Sequence, residues 1–376
     1  MISVSNEAEL ANAVRGAAGA LRIVGGGTRD IGAPVAGEVL SVAGMAGVEL
    51  YEPGALTIVA KAGTPLAEVE AVLAEQNQRL PFEPMDHRGL LGSEGTPTIG
   101  GVVAGNVSGP RRVQAGACRD SLIGVRFVDG RGDVIKNGGR VMKNVTGYDL
   151  VKLMAGSWGT LGVLSEVAFK VLPKPDARAV LLINGLADAD AVAAMSAALG
   201  SPFEVSGAAH APVGVDGHPV TMLRLEGFAD SVAYRTEQLC GLLARFGAAE
   251  VETDPTRTEA GWAWVRDVEP FHGVEGDVWR ISVRPSDAAA LVDGLGAKAV
   301  LYDWGGGLIW ALTEAGTDAR ARLGAFQGHA TLIRASVETR AALAAFQPEP
   351  APVAAISAGL RAQFDPRGIL NAGLMG

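Results

Sequence analysis

Two glycine-rich segments have the composition of backbone that grips a ligand. The first, Gly25-Gly26-Gly27-Thr28-Arg29-Asp30, follows directly on a short strand pattern, Leu21–Val24. Glycines at the end of a strand let the main chain approach a diphosphate closely, and successive N–H groups can form an anion-binding nest. The Thr28 hydroxyl adds a donor. The segment is not a dinucleotide fingerprint, because Asp30 stands three positions after Gly27 where that motif needs glycine, and it lacks the Gly-Lys-Ser/Thr of a P-loop. Taken alone, it also reads as a plain tight turn. The second segment, residues 98–109, sets Gly100, Gly101, Gly105 and Gly109 among Thr98, Ala104, Asn106 and Ser108. Each glycine in a helix interior costs about 1 kcal/mol against alanine. The expectation is therefore backbone laid along a flat or charged ligand, not helix interior.

The elements that would position these loops are legible from periodicity. Helical spacing runs over residues 7–18 and 66–76, the latter entered through Pro65, and a short helix is expected over 148–153. Strand patterns fall at 21–24, 56–60, 121–128 and 164–171. This alternation predicts an α/β or α+β domain ending at Pro173-Lys174-Pro175. Beyond it, strands at 179–183, 220–226, 279–283 and 300–304 and helices at 189–198 and 231–246 predict a second domain with an antiparallel sheet under helices. A proline-rich linker, 347–353, leads to a last helix over 354–364.

Composition narrows the chemistry. At 376 residues the chain exceeds the roughly 250 that one core usually holds, so more than one domain is expected. Its net charge of −9 carries no Lys/Arg stripe, which argues against a nucleic-acid partner. The cysteines, Cys118 and Cys240, cannot build a disulfide framework or a four-cysteine cluster, so any iron–sulfur chemistry would lie on another chain. The five histidines are scattered without metal-ligand spacing, and no metal is expected. No apolar leader opens the sequence and no run reaches the roughly 20 apolar residues of a membrane span, so a cytoplasmic enzyme is expected, with peripheral docking to a membrane complex left open.

After the two loops come Arg119-Asp120, the stretch 143–150 with Gly147-Tyr148-Asp149, and the turn 156–164 with Gly159-Thr160-Leu161-Gly162-Val163-Leu164. In this order the motifs resemble the FAD-binding domain of the vanillyl-alcohol oxidase / p-cresol methylhydroxylase (PCMH) flavoproteins, over residues 1–173. The resemblance implies an α+β fold: a PCMH-type FAD-binding domain of two subdomains over 1–173, a cap domain over 174–346, and a segment over 347–376 that returns to the flavin. It implies FAD contacts at Gly25, Gly26, Gly27, Thr28, Arg29, Asp30, Pro84, Thr98, Gly100, Gly101, Ala104, Asn106, Ser108, Gly109, Arg119, Asp120, Tyr148, Gly162, Val163, Leu164 and Asn371. Such flavoproteins can attach FAD through a histidine in or near these loops; none lies between Gly25 and Asp30 or between Gly100 and Asp120, so non-covalent FAD is expected. Cys118 reads as a buried structural cysteine.

In the second half, Trp262-Ala-Trp264-Val-Arg266, Trp279-Arg280-Ile-Ser-Val283, the tryptophans 304 and 310, Gly328-His329 and the closing Asp365-Pro-Arg-Gly-Ile-Leu-Asn371-Ala-Gly373 stand in the order seen in the FAD-binding subunits of bacterial glycolate oxidases. That resemblance covers nearly the whole chain. It implies oxidation of glycolate to glyoxylate beside a larger FAD-containing subunit and an iron–sulfur subunit, with electrons passing to quinone. A 2-hydroxy acid needs a cation for its carboxylate and a base for its hydroxyl proton; Arg266, Arg280 and His329 are the candidates. Against that role, Arg266 and Arg280 can pair with Asp267 and Asp277, His329 can satisfy a turn, and the tryptophans can be core. The His-x-Gly-Asp-Gly-Asn-x-His segment of the larger subunit is absent. An FAD-binding accessory subunit and a stand-alone alcohol or sugar oxidase therefore remain open beside the catalytic reading.

Overall fold

The computed structural model describes residues 1–139 and 147–376. The chain divides into two compact units, residues 1–108, 116–174 and 348–376 forming one and residues 109–115 and 175–347 the other.

In the first unit a five-stranded antiparallel sheet runs in the order Val48–Glu52, Thr57–Lys61, Val163–Lys170, Leu122–Val128, Val134–Gly138. A smaller parallel sheet places Glu38–Ser41 between Ile2–Ser3 and Leu21–Val24. The helix Glu7–Gly16 begins at Asn6, whose side chain accepts from the Glu9 amide at 3.0 Å, satisfying one of the free donors of its first turn. Its apolar face, Leu10, Ala11 and Val14, joins Leu21, Leu40, Val128, Val163 and Leu370 in one core. The same helix is tied to the larger sheet by Glu7, which accepts from Ser165 at 2.6 Å and from Arg126 Nε at 3.0 Å. Burial opposes ionisation of Glu7, but these donors outweigh it and hold its carboxyl below the ordinary value.

The C-terminal segment completes the smaller sheet. Leu21 donates to Ile369 at 2.7 Å and accepts from the Asn371 amide at 3.0 Å, so residues 369–371 run beside the strand that leads into the first glycine loop. The last helix spans Ala351–Phe364, three residues earlier than its expected start. Pro352 lies in its first turn, where the missing N–H has no intrahelical partner to lose. The second glycine segment also departs from expectation: Ile99–Ala104 is a helix, capped by Thr98, whose Oγ1 accepts from the Gly101 amide at 3.3 Å. Gly100 and Gly101 cost helix propensity there, but close packing requires the first of them. A Cβ on Gly100 would stand 2.6 Å from both Cβ and O of Ala62.

The second unit is built on an eight-stranded antiparallel sheet, whose central strands include Val220–Gly227, Gly207–Ala211, Ala299–Asp303, Leu308–Thr313 and Asp277–Val283. One face packs under the helices Asp188–Leu199, Ala229–Leu243 and Ala288–Leu295 around Leu181, Leu223, Trp279, Ile281, Tyr302 and Leu332. On the other face Trp262 and Val265 of the helix Pro255–Arg266 cover Val180, Ala209 and Met222. Beside them a buried ionic cluster centres on Glu226, which accepts from Ser206 at 2.6 Å and pairs with Arg111, with Arg178 at 3.3 Å and with Arg224 at 3.5 Å. A carboxylate shared by three guanidiniums cannot be removed without stranding buried charge. Glu226→Ala is expected to lower the unfolding free energy by about 3–5 kcal/mol, read from urea denaturation.

Candidate FAD-binding site

An open cleft lies wholly within the first unit. Its floor is where three stretches of main chain meet: the loop 25–30, the helix Ile99–Ala104 and the turn 157–164. The loop is pressed against residues 95–98, which lead into that helix, with no room for side chains. A Cβ on Gly26 would lie 1.5 Å from the Thr96 carbonyl oxygen, one on Gly95 would lie 1.7 Å from that of Gly26, and one on Gly25 would meet Thr98 Oγ1 at 2.5 Å. The glycines are thus fixed first by the protein's own backbone. The consequence is chemical: among the described residues, none of the amides of Gly25, Gly26, Gly27, Thr28 and Arg29 donates to a protein acceptor. Successive unpartnered N–H groups on a loop with Gly27 at φ +71° make an anion-binding concavity.

Arg29 supplies the formal charge. Its Nε donates to His87 Nδ1 at 3.3 Å, while its Nη2 is buried with no hydrogen-bond partner. Burial pulls the guanidinium down to about 10, countered by the charge of Asp86, so the group remains cationic at neutral pH. A half-buried cation with one buried, idle donor, beside a row of idle amides, fits a diphosphate. At the mouth, Asp30 pairs with Arg22 at 3.3 Å. Apolar walls come from Ile23, Ile31, Val163, Leu164 and Leu374. The residues present fit a nucleotide with a charged middle and flat, apolar ends.

Asn371 closes one side. Its Oδ1 accepts from the Ile23 amide at 2.8 Å and its Nδ2 donates to the Trp158 carbonyl at 2.8 Å, so it joins the strand before the glycine loop to the 157–164 turn. Its φ of 44° is a left-handed conformation that asparagine tolerates better than most residues.

Residues 1–138 match the family model described as an FAD binding domain. Glycolate oxidase subunit GlcE of Escherichia coli (strain K12) is 37% identical over 349 residues, covering 92% of this chain and 89% of that protein. The chain belongs to the GlcE family of FAD-linked oxidoreductase subunits. Glycolate oxidase subunit GlcD of Bacillus subtilis (strain 168) is 30% identical over 177 residues, 43% of this chain and 38% of that one. A solved structure of alkyldihydroxyacetonephosphate synthase superposes with a TM-score of 0.70 at 18% identity, covering 98% of this chain and 76% of its own, and shows a shared fold.

Of the residues read from sequence, Gly25, Gly26, Gly27, Thr28, Arg29, Asp30, Thr98, Gly100, Gly101, Ala104, Gly162, Val163, Leu164 and Asn371 line the cleft. The structure places others outside that lining. Pro84 is buried in the loop before His87. Asn106 Oδ1 accepts from the Arg119 amide at 3.0 Å, and Ser108 Oγ from the Cys118 amide at 2.9 Å. Asp120 caps a short helix by accepting from the Ala117 amide at 2.8 Å, and Arg119 is exposed beside it. Gly109 belongs to the second unit, where its carbonyl accepts from Trp304 Nε1 at 3.0 Å. Tyr148 is exposed, and residues 143–146 of its motif lie outside the described residues. Sequence reasoning missed Arg22, Ser157 and Trp158 as lining residues and His87 as the partner of Arg29.

The three substrate candidates all lie in the second unit. Arg266 makes a two-pronged pair with Asp267, at 2.9 and 2.7 Å. Arg280 does not pair with Asp277, whose carboxylate instead accepts from the Gly316 amide at 2.7 Å. Arg280 lies over the rings of Trp304 and Trp310, and His329 feels its charge. Trp279 is core, as is Trp262. Among the described residues no cluster of three or more His, Cys, Asp or Glu could hold a metal, and no helix is long and apolar enough to cross a membrane.

Arg29→Gln is expected to weaken FAD affinity at least about tenfold, the loss of one charge-assisted contact, measured by fluorescence titration of the stripped chain. The stability of the FAD-free chain should not fall, because the substitution removes a buried charge with an idle donor.

Proposed function

We propose that this chain is the FAD-binding subunit of a glycolate oxidase complex, oxidising glycolate to glyoxylate and passing the electrons to other subunits. The observation that carries the reading is the row of amides from Gly25 to Arg29, without a protein acceptor among the described residues, beside the buried, idle Nη2 of Arg29, in a chain of the GlcE family. Bound FAD supplies a two-electron acceptor for the carbinol carbon of the substrate. The chain's own share is to bind and orient that cofactor. The loop amides and Arg29 hold the diphosphate, the apolar walls exclude water from the flat ends, and Asn371 fixes the spacing between the glycine loop and the 157–164 turn.

The cofactor is held without a covalent bond. No histidine, cysteine or tyrosine stands among the lining residues, and Cys118 is fully buried, its thiol pushed well above the ordinary value by burial and so unreactive at neutral pH. The partners are a larger FAD-containing subunit, which the similarity to a GlcD subunit supports, and an iron–sulfur subunit, since Cys118 and Cys240 are too few to ligate a cluster. Electrons then pass to quinone at the membrane, which the complex meets peripherally from the cytoplasm.

Acid precipitation of the yellow holoprotein is expected to leave all the flavin in the supernatant; flavin remaining with the pellet would refute the non-covalent reading. Anaerobic addition of glycolate should bleach the visible flavin band of this chain, alone or in its complex. Bleaching confined to the complex, and lost when only the larger subunit's flavin is removed, would make this chain an accessory; bleaching by an alditol but not by glycolate would make it an alcohol oxidase.

A further inference from the structure

The second unit carries an arginine, Arg280, held by aromatic rings and donating to no oxygen among the described residues. Strand alternation puts Arg280 and Ser282 on the sheet face opposite the core residues Trp279 and Ile281. Across the ladder Arg280 is paired with Trp310 on one side and Thr331 on the other, and Ser282 is paired with His329, so these side chains share one face. The Arg280 guanidinium stands 5.0 Å from the ring centroid of Trp304 and 6.0 Å from that of Trp310, and Arg112 stacks on the same Trp304 ring at 4.6 Å. Trp304 is itself held in place, at φ 53°, by its Nε1–H donating to the Gly109 carbonyl at 3.0 Å and its amide donating to Asp303 at 2.7 Å.

Arg280 differs from the arginines of the ionic cluster. Arg111, Arg178 and Arg224 converge on Glu226, whereas among the described residues no oxygen accepts a hydrogen bond from Arg280. Aromatic rings hold the faces of a guanidinium and leave its in-plane N–H fork directed at whatever enters. The charges nearby are Arg112, the Asp303 carboxylate and His329, whose imidazole is held below its ordinary value by burial, Arg280 and Arg112 and is therefore neutral at neutral pH.

We propose that Arg280, supported by Arg112 and Trp304, binds the carboxylate of a small 2-hydroxy monocarboxylate, with His329 placed to accept a hydrogen bond from its hydroxyl. The assignment rests on the proposed oxidation of such an acid, yet Arg112, Arg280, Trp304 and His329 all lie within residues 109–115 and 175–347, so their ligand binding is separable from FAD binding. Arg280 is the binding group and His329 the specificity group.

The test is calorimetric titration of the full-length holoprotein with glycolate, acetate, glycolamide and inorganic phosphate, with FAD content read from the visible spectrum of each sample. Glycolate should bind most tightly, acetate more weakly for want of the hydroxyl, and glycolamide not measurably. Arg280→Gln should weaken glycolate at least tenfold at unchanged FAD content. Arg280→Lys, which keeps the charge but not the fork, should fall between, and Arg284→Gln, in an exposed pair with Asp287, should match the parent. His329→Ala should reduce glycolate to the affinity of acetate. Unchanged glycolate affinity in both Arg280 variants, equal binding of glycolamide, a preference for phosphate, or no glycolate binding by the holoprotein would each overturn the proposal. Loss of FAD from a sample that still binds glycolate would count against the cofactor reading and leave this one standing.

Discussion

The cleft depends on main chains that approach too closely for side chains to stand between them. Gly26 abuts the Thr96 carbonyl, Gly95 abuts that of Gly26, and Gly100 lies against Ala62. With the loop clamped against residues 95–98 in this way, none of the amides from Gly25 to Arg29 donates to a protein acceptor among the described residues. Unsatisfied backbone donors near the interior are costly, typically about 1–3 kcal/mol each. A run of them is stable only where water or an anion completes the set. The tight packing and the ligand affinity are therefore one feature seen from two sides.

Several polar residues near the cleft maintain this geometry instead of facing a ligand. Asn371 spends both ends of its amide on Ile23 and Trp158, and Asn106, Ser108 and Asp120 each accept a backbone amide within residues 106–120. A short polar side chain has few hydrogen bonds to give. Once they hold the main chain, its contribution to binding is positional. Arg29 is the contrasting case: His87 fixes its orientation through one nitrogen and leaves another idle.

The second unit shows the same division between satisfied and idle charge. Its sheet buries Trp279 and Ile281 on one face and an ionic cluster around Glu226 on the other, where three arginines neutralise a carboxylate and tie strands together. Arg280, on the same sheet, is held by aromatic rings and finds no such acceptor among the described residues. Arginine type and strand spacing are alike in the two places. What differs is whether a distant acid arrives.

Much of this could be read from the chain itself. The periodicity marked the strands Leu21–Val24 and Leu122–Val128 and the helices Glu7–Gly16 and Asp188–Leu199 to within a few residues, because each has a buried face whose repeat is written locally. The glycine loops and the order of motifs along residues 1–173 point to FAD, and Gly25, Gly26, Gly27, Gly100, Gly101 and Gly162 line the cleft. Local propensity misjudged residues 99–104, where packing against Ala62 outweighs the helix cost of glycine, and the start of the last helix, where a first-turn proline is harmless. It could not sort Asn371 and Asp120 into positioning groups, pair Arg29 with His87, or part Arg280 from Asp277. Each of those outcomes is a contact between residues brought together only by the fold, up to 348 positions apart for Asn371 and Ile23. Sequence fixes which groups can bond; which of them are already spent is decided when distant backbone is packed beside them.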